Sequence, residues 1–318
     1  MTQTPERIMA ARLLEHGRPL QVDEITLPEP ADGEVVVRLA YGGVNPIDRY
    51  TAAGSVNAAG PLPRTLGGEA AGQVDGRAVL VTGESLGGMR DGVWTQAAVV
   101  PETALTEIPD GVEPAQAAAM GIAGLTAVMC VRELAKVTSD DRVLVLGASG
   151  GVGSMIVSLA AAAGATVWGQ TGSAEKAPAI EEHGATRVLV GDAQQIASAV
   201  AELSPTVAFD PLGGPYVAPV VDAAARGGRI VSFGVSAGAQ TTFNMQQLYR
   251  KMLMLMGYGG GTLPADVRRP GLRAALEAVR AGDLKVRIDE VLPLEAVNEA
   301  FQRLVDRRVQ GKLLLDLR

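Results

Sequence analysis

Cysteine, histidine and aromatic residues are scarce in this sequence of 318 residues. It contains one cysteine, Cys130, and two histidines, His16 and His183. A single cysteine cannot form a disulfide within the chain. A structural zinc ion takes four soft ligands and a catalytic one takes three protein ligands, so this composition argues against zinc. Aromatic residues make up 3%, and alanine, valine, leucine and glycine must therefore fill the core.

Positive charge and long apolar runs are also limited. The chain has 28 lysines and arginines against 35 acidic residues, a net charge of −7, which argues against a nucleic-acid or anionic membrane partner. The longest apolar run, residues 115–131, is interrupted by Gln116 and Thr126 and is predicted to be an internal helix. The first residues lack the apolar core of a secretory signal. We therefore expect a soluble, cytoplasmic protein.

The most informative segment is RVLVLGASGGVG, residues 142–153. A buried strand is predicted over 143–147, a helix through Ala163, and a second strand over 165–169. A glycine turn between a strand and a helix is the context of a dinucleotide-binding fingerprint, in which the helix N-terminus faces a pyrophosphate. The alternative is a glycine turn that only packs a helix against a sheet. The predicted cofactor contacts are Ser149, Gly150, Gly151 and Val152.

The end of the second strand indicates which nucleotide is bound. An acidic residue would bind the ribose 2′-hydroxyl of NAD, but Gln170 and Thr171 stand there instead. Ser173 and Lys176 follow and could bind a 2′-phosphate, which favours NADPH. The acidic Glu175 argues against a 2′-phosphate at this position, and Lys176 could also be a solvated residue at a helix start.

From the fingerprint onward, strands and helices alternate. Six strands are predicted to form a doubly wound parallel sheet over residues 116–259, and the fold class is α/β. Residues 1–115 contain short strands and a loop-rich stretch, and they form a β-rich domain with the return segment 260–318. In that segment helices are predicted over 271–281 and 295–305, with a last strand over 312–317.

Several segments, in the same order along the chain, resemble one family. It is the zinc-independent quinone oxidoreductase branch of the medium-chain dehydrogenase/reductase superfamily. The matching segments are YGGVNPIDRYTAAG (41–54), LGGEAAGQV (66–74), GIAGLTA (121–127), GASGGVG (147–153), FDPLGG (209–214), GRIVSFG (228–234) and QGKLLLDL (310–317).

The resemblance implies a GroES-like catalytic domain beside a Rossmann nucleotide-binding domain. The zinc-binding histidine of zinc-dependent relatives is replaced by Gly68 before Glu69, and we expect Glu69 to be structural. Without a Lewis acid, a conjugated acceptor is a better substrate than a plain ketone. Hydride addition then leaves charge on a distant oxygen, which hydrogen-bond donors and a proton source can stabilise.

The resemblance also implies roles for the front loop. Asn45 would lie near the nicotinamide ribose, although an Asx turn before Pro46 is the alternative. Tyr50 would donate a proton or hydrogen bond to the substrate, or would be a packed ring with its hydroxyl at the surface. Asp48 is interpreted as structural. Ala52 replaces an arginine that relatives usually carry, which leaves the substrate preference open.

Further cofactor contacts are implied in the second half of the chain. Thr126 would lie near the pyrophosphate or nicotinamide, or would bond to its own helix backbone. Phe233, Gly234 and Val235 would form a loop beside the nicotinamide, or would simply end a core strand. Asp210 is explained equally well by a turn before Pro211.

The fingerprint and the resemblance together predict an NADPH-dependent reductase of quinones or α,β-unsaturated carbonyls, with Asn45 and Tyr50 as candidate catalytic residues. The alternatives are an NADPH-binding sensor without turnover and a dedicated enoyl reductase of a biosynthetic pathway. The resemblance implies that the edge strand 251–258 pairs with a second copy in a homodimer, and an uncovered apolar edge would otherwise invite aggregation. The alternative is an edge covered by the tail of its own chain.

Overall fold

A computed structural model describes residues 6–318, with only the backbone of Thr262. The chain forms two compact units. The first comprises the chain up to Leu125 together with Gly261–Arg280 and Ile288–Arg318, and the second comprises Thr126–Gly260 and Ala281–Arg287.

These bounds differ from the predicted ones at Gly260, which lies in the second unit, and at two short segments. Residues 116–125 belong to the first unit, where the Ile122 amide donates to Glu69 Oε2 at 2.6 Å. Residues 281–287 belong to the second unit, where Lys285 donates to the Glu182 carbonyl.

Sixteen strands and ten α-helices are described. The strands are β1 (Arg7–Leu13), β2 (Gln21–Thr26), β3 (Glu34–Val44), β4 (Arg64–Thr65), β5 (Glu69–Val74), β6 (Arg77–Thr82), β7 (Ala97–Pro101), β8 (Leu105–Glu107), β9 (Arg142–Val145), β10 (Thr166–Thr171), β11 (Arg187–Val190), β12 (Val207–Asp210), β13 (Arg229–Ser232), β14 (Met254–Gly257), β15 (Ile288–Pro293) and β16 (Lys312–Asp316). The helices are α1 (Pro46–Ala52), α2 (Pro114–Ala118), α3 (Ala123–Val128), α4 (Gly151–Ala162), α5 (Ala177–Glu182), α6 (Ala193–Leu203), α7 (Val217–Ala223), α8 (Met245–Arg250), α9 (Ala265–Ala281) and α10 (Val297–Val305).

The first unit is rich in β-structure, as predicted. One sheet has the order β2-β1-β4, and a larger one has the order β15-β16-β3-β5-β6-β8 with β7 also paired to β3. The long strand β3 pairs with β7 along its first half and with β16 along its second half. The core of the first unit contains the fully buried Trp94, which donates from Nε1 to the Gly43 carbonyl at 3.2 Å.

The second unit contains the predicted doubly wound sheet. Six parallel strands have the order β11-β10-β9-β12-β13-β14, which is 3-2-1-4-5-6 in chain order. The order reverses between β9 and β12, and ligands of such sheets bind at the carboxyl ends of the strands flanking this point. The fingerprint strand ends at Val145, before the predicted end at 147, because Gly147 turns the chain away with a φ of 59°. Strand β10 extends two residues beyond its predicted end, to Thr171.

The prediction of one helix over residues 115–131 is wrong. Helices α2 and α3 are separated by a turn, and a π-helix, Met129–Leu134, follows α3. Within the turn, a Cβ on Gly121 would lie 2.8 Å from the Glu69 Cβ, so the backbone passes too close to Glu69 for any larger residue.

The return segment also differs from its prediction. Helix α9 begins at Ala265 rather than 271, and β15 was missed because Leu292 is its single buried residue. No helix in residues 6–318 is long and apolar enough to cross a membrane.

Candidate functional site

The glycine turn of the second unit connects β9 to α4 through a very close contact. An ideal Cβ on Gly153 would lie 2.3 Å from the Gly147 carbonyl oxygen, so only glycine lets the helix approach the turn. At Gly150 the situation differs, because a Cβ there would meet only the Gly147 oxygen, at 3.4 Å. The turn is thus closed on the side of Gly153 and open at Gly150.

Helix α4 begins at this turn and presents its positive end there. Gly150 is the N-cap and carries no side chain to bond the first backbone amides of the helix. Those amides have no partners within the helix, so they and the helix dipole favour an anion. The four predicted cofactor contacts Ser149, Gly150, Gly151 and Val152 all lie at this position.

Gln170 holds the turn in place. Its Oε1 accepts from the Gly147 amide at 3.0 Å, and its Nε2 donates to the Gly191 carbonyl at 2.7 Å. The side chain is buried, and it links the loops that follow β9 and β11. In the sequence Gln170 is distinctive only as a non-acidic residue, since nothing local indicates that it bonds to two separate loops.

Ser173 and Lys176 lie together in the loop after β10. Ser173 precedes a short 3₁₀ helix, Ala174–Lys176, but its side chain makes no capping hydrogen bond. Both residues are half-buried, whereas Glu175 is exposed. Thr171 Oγ1 lies 3.4 Å from Ser149 Oγ and accepts from the Ser173 amide at 3.4 Å. Hydroxyl contacts therefore connect the glycine turn to this loop.

The loops after β12 and β13 pack against each other. Asp210 Oδ1 accepts from the amides of Leu212 and Gly213 at 2.7 and 2.9 Å, so the predicted turn is formed. Burial raises the pKa of Asp210, and these two hydrogen bonds oppose the shift. A Cβ on Gly234 would lie 2.6 Å from the Pro211 carbonyl, which shows how closely the two loops approach. Phe233, Gly234 and Val235 thus lie at the carboxyl edge of the sheet.

Thr126 begins the second unit and hydrogen-bonds the half-buried Tyr258. Burial raises the pKa of Tyr258 to about 12, Cys130 adds to the shift, and a hydrogen bond with Thr126 opposes it. Burial also raises the pKa of the Cys130 thiol to about 12. At that pKa the buried thiol stays protonated near neutral pH, which disfavours Cys130 as a nucleophile.

The first unit contains a buried polar cluster made of Asn45, Asp48, Glu69 and Lys312. Each of these residues is at most 6% exposed. Lys312 Nζ donates to Glu69 Oε1 and to Asn45 Oδ1, both at 2.6 Å, and Asn45 Nδ2 donates to Glu69 Oε1 at 2.7 Å. Glu69 Oε1 therefore accepts two of the hydrogen bonds in the cluster. Lys312 was missed, because a lysine at the start of an apolar strand resembles an ordinary strand end.

Glycines make the space for Glu69. A Cβ on Gly43 would lie 2.2 Å from Glu69 Oε1, and one on Gly121 would lie 2.9 Å from Oε2. The carboxylate is therefore enclosed by backbone, and its charge is met by Lys312 and by donated hydrogen bonds.

Asp48 completes the cluster. At the start of α1, Asp48 Oδ2 accepts a hydrogen bond from the backbone N–H of Asn45 at 2.8 Å. Burial raises the pKa of Asp48 to about 7, the charge of Glu69 adds to the shift, and Lys312 and the Asn45 hydrogen bonds oppose it. Asp48 therefore holds a proton well above the usual pH range of an aspartate.

Tyr50 lies on the same helix but has different neighbours. It is half-buried, and the Arg49 guanidinium carbon lies 4.8 Å from the centroid of its ring. The structure therefore places Asn45 in the buried cluster and Tyr50 at the more exposed side of α1.

The donor atoms of this unit do not suit a zinc ion. In residues 6–318, no group of three or more His, Cys, Asp and Glu side chains is arranged to hold a metal. Gly68 offers no ligand, and both oxygens of Glu69 are already engaged by Lys312, Asn45 and the Ile122 amide.

Two family models match the chain. Residues 31–110 match the alcohol dehydrogenase GroES-like domain, and residues 151–277 match the zinc-binding dehydrogenase model. A quinone oxidoreductase of Pseudomonas aeruginosa is 30% identical over 302 residues, which cover 90% of this chain and 92% of that protein. The putative quinone oxidoreductase YhfP of Bacillus subtilis is 28% identical over 302 residues, 91% of each chain. A crystal structure of Bacillus subtilis protein yhfP with NAD bound is similar in fold, with a TM-score of 0.84, 26% identity and coverage of 98% of this chain and 100% of that one.

Replacing Asp48 by asparagine is expected to change the pH dependence of stability. The folded protein holds the Asp48 proton up to a pH of about 7, whereas the unfolded chain releases it near its ordinary pKa of 3.8. Asp48 therefore lowers the free energy of unfolding as pH rises through this window, by about 1.4 kcal/mol per pH unit. The asparagine introduced at position 48 can still accept a hydrogen bond from the backbone N–H of Asn45, but it does not titrate.

Urea unfolding of both proteins between pH 4 and 8 measures this effect. Relative to Asp48→Asn, the wild type is expected to lose stability up to a pH of about 7 and to show a constant difference above it. Glu107→Gln, at an exposed carboxylate of β8, is the control and is expected to show no such trend. A stability difference that is independent of pH would contradict the assignment.

Proposed function

The chain belongs to the quinone oxidoreductase-like branch of the medium-chain dehydrogenase/reductase superfamily, and from this premise we propose that it is a zinc-independent, NADPH-dependent reductase of quinones or α,β-unsaturated carbonyls. More generally, it is an oxidoreductase that uses a nicotinamide dinucleotide and a small-molecule substrate. The observation that carries the proposal is the open, helix-capping turn at Gly150, followed by a non-acidic strand end and the pair Ser173 and Lys176.

The preference for NADPH rests on charge at the end of β10. Gln170 and Thr171 provide no carboxylate to bind an unphosphorylated ribose, and a carboxylate there would repel a 2′-phosphate. Ser173 supplies a hydroxyl and Lys176 a cation within three residues of it. We assign both to the 2′-phosphate, and the backbone from Ser149 to Val152 to the pyrophosphate.

Independence from zinc rests on the donor atoms of the first unit. Because Gly68 offers no ligand and Glu69 is fully engaged by Lys312, Asn45 and Ile122, no step is assigned to a metal. Acceptors that need no Lewis acid are then favoured, since a quinone or enone carries the developing charge on an oxygen far from the carbon attacked.

The chemistry that the bound cofactor supplies is hydride transfer. A C–H bond of the reduced nicotinamide ring would break and a new C–H bond would form at the β-carbon of an enone, leaving the cofactor oxidised. Negative charge would then develop on the carbonyl oxygen, and a proton would complete the reduction. We assign Asn45 as a hydrogen-bond donor and Tyr50 or water as the proton source. Thr126, Phe233, Gly234 and Val235 are assigned as further cofactor contacts.

A panel of acceptors tests the reaction. The purified protein is mixed with NADPH and with quinones, enones and plain ketones, and the loss of NADPH absorbance is followed. Turnover is expected with quinones or enones and not with ketones, and it should survive treatment with a chelator. Tight NADPH binding without turnover of any acceptor would contradict the proposal and favour a sensor.

The Gly150→Ala variant is expected to fold normally but to bind the cofactor at least about tenfold more weakly. Gly150 has a φ of −80°, which alanine adopts, and its Cβ would be at ordinary contact distance from Gly147. The methyl group would, however, occupy the approach of the pyrophosphate. Calorimetry measures affinity and thermal denaturation measures stability, with Gly261→Ala, where a Cβ meets nothing within 4 Å, as the control. Unchanged affinity would refute the pyrophosphate assignment.

The Lys176→Met variant separates the two cofactors. A charge-assisted hydrogen bond contributes about 1.5–3 kcal/mol, so NADPH affinity is expected to fall roughly tenfold to a hundredfold while NADH affinity is unchanged. Both are measured because the relative yhfP was crystallised with NAD bound. Lys136→Met, at an exposed lysine before β9, is the control. Equal loss of both affinities would contradict the assignment to the 2′-phosphate.

We also propose a homodimer through the edge strand 251–258. Strand β14 lies at one edge of the parallel sheet, and Met254 and Leu255 on it are 48% and 44% exposed. Leu255→Lys is expected to give a monomer in light scattering, because a charge would be buried in the joined edge. Val190→Lys, on β11 at the opposite edge, is the matched control and is expected to leave the mass unchanged. A monomeric wild type would refute the dimer.

A further inference from the structure

Three side chains of the buried polar cluster form a closed ring of contacts. Lys312 Nζ donates to Asn45 Oδ1 and to Glu69 Oε1, and Asn45 Nδ2 donates to the same Glu69 oxygen. A third donated bond from Lys312 reaches the Val44 carbonyl at 3.3 Å. All three protons of the ammonium group therefore have acceptors, and none is left for another molecule.

The ring determines which way the Asn45 amide points. An asparagine amide has an acceptor side and a donor side of nearly the same shape, and its surroundings decide between the two orientations. Here a cation faces the oxygen and a carboxylate faces the nitrogen. Turning the amide over would place its N–H groups against the ammonium and its oxygen against the carboxylate, so both contacts would become repulsive.

The position of Lys312 is set by sheet pairing. Strand β16 runs antiparallel to β3, with Leu313 opposite Val44, so the residue before Leu313 lies beside the end of β3 where Asn45 follows. Replacing a buried ion pair by well-packed apolar residues of the same size often leaves stability unchanged or raises it. Stability alone therefore does not explain a charged residue at this position.

We propose that Lys312 is a positioning residue that, together with Glu69, fixes the orientation of the Asn45 amide. One N–H of Asn45 is donated to Glu69, and the second is held in a constant direction for an oxygen acceptor of the bound molecule, either a hydroxyl or a developing enolate. The functional part of this inference rests on the proposed reductase activity, in which Asn45 is a hydrogen-bond donor.

The test is the double variant Lys312→Met/Glu69→Gln. Lys312→Met alone would leave the Glu69 charge buried without a partner and could prevent folding. In the double variant both charges are absent at similar side-chain volume, and the two amides at positions 45 and 69 can pair in either orientation. We expect a folded protein in which the Asn45 orientation is no longer fixed.

Two readouts distinguish positioning from a structural role. The chain has four asparagines, so labelling them with ¹⁵N gives few side-chain amide signals in NMR spectra. The Asn45 pair is expected to be shifted and slow to exchange with solvent in the wild type, and to lose both properties in the double variant. With NADPH and the best acceptor, kcat is expected to fall about tenfold to a hundredfold.

The control is a second ion pair of the same unit. Arg268→Met/Glu84→Gln removes a pair at 2.6 Å in which Arg268 is 7% exposed, and it is expected to change stability without changing the Asn45 signals or kcat. Wild-type kcat and wild-type Asn45 signals in the Lys312→Met/Glu69→Gln variant would overturn the proposal. If the wild type reduced no acceptor, the proposed function would fail, while the NMR comparison would still decide whether Lys312 fixes the amide.

Discussion

The close contact between Gly153 and the Gly147 carbonyl is the constraint on which the second unit depends. A Cβ at 2.3 Å from that oxygen is impossible, so the first turn of α4 can touch the strand end only because glycine stands at this position. The contact aims the open amides of the helix at the point where the strand order reverses. Moving the helix outward by one methyl group would displace all the backbone donors together.

In the first unit the main constraint is the burial of charge. Glu69 lies among backbone atoms, where an unpaired carboxylate would be very unfavourable. Lys312 balances it, and Gly43 and Gly121 leave the space that the carboxylate needs. Burial raises the pKa of the neighbouring Asp48 to about 7, and the charge of Glu69 adds to the shift. The cluster thus combines one fixed ion pair with one carboxyl that titrates near neutral pH.

Local patterns in the sequence predicted what depends on local physics. Apolar β-branched residues before glycines, with apolar residues at helical spacing after them, were sufficient to predict the order of strands and helices from Arg142 to Gly257. The polar cluster instead depends on contacts between residues that are far apart in the sequence. Lys312 is 243 residues from Glu69 and 267 from Asn45. No local spacing connects them. Strand β15 was hidden for a related reason, since most of its residues are exposed and show no alternation.

The apolar run 115–131 shows the limit most clearly. Its composition is uniform enough to suggest one helix, yet the Glu69 carboxylate accepts the Ile122 amide and interrupts it. A residue 53 positions away in sequence therefore decides where the helices end. The resemblance to the family identified the right segments, but the reason why GIAGLTA contains a glycine at position 121 became visible only in the packing against Glu69.

The hydrogen bonds of Gln170 within the fold bear on the proposed cofactor preference. An aspartate or glutamate at this position could accept from the Gly147 amide, but it could not donate to the Gly191 carbonyl, which now receives the Gln170 amide at 2.7 Å. A carboxylate would face that carbonyl with no proton between them, and one of the two loops would lose its attachment. The residue type that binds an unphosphorylated ribose is therefore disfavoured at position 170 by the scaffold, whatever nucleotide is present. The residues proposed to bind a 2′-phosphate lie in the loop that follows, where Ser173 makes no capping hydrogen bond and Lys176 is half-buried.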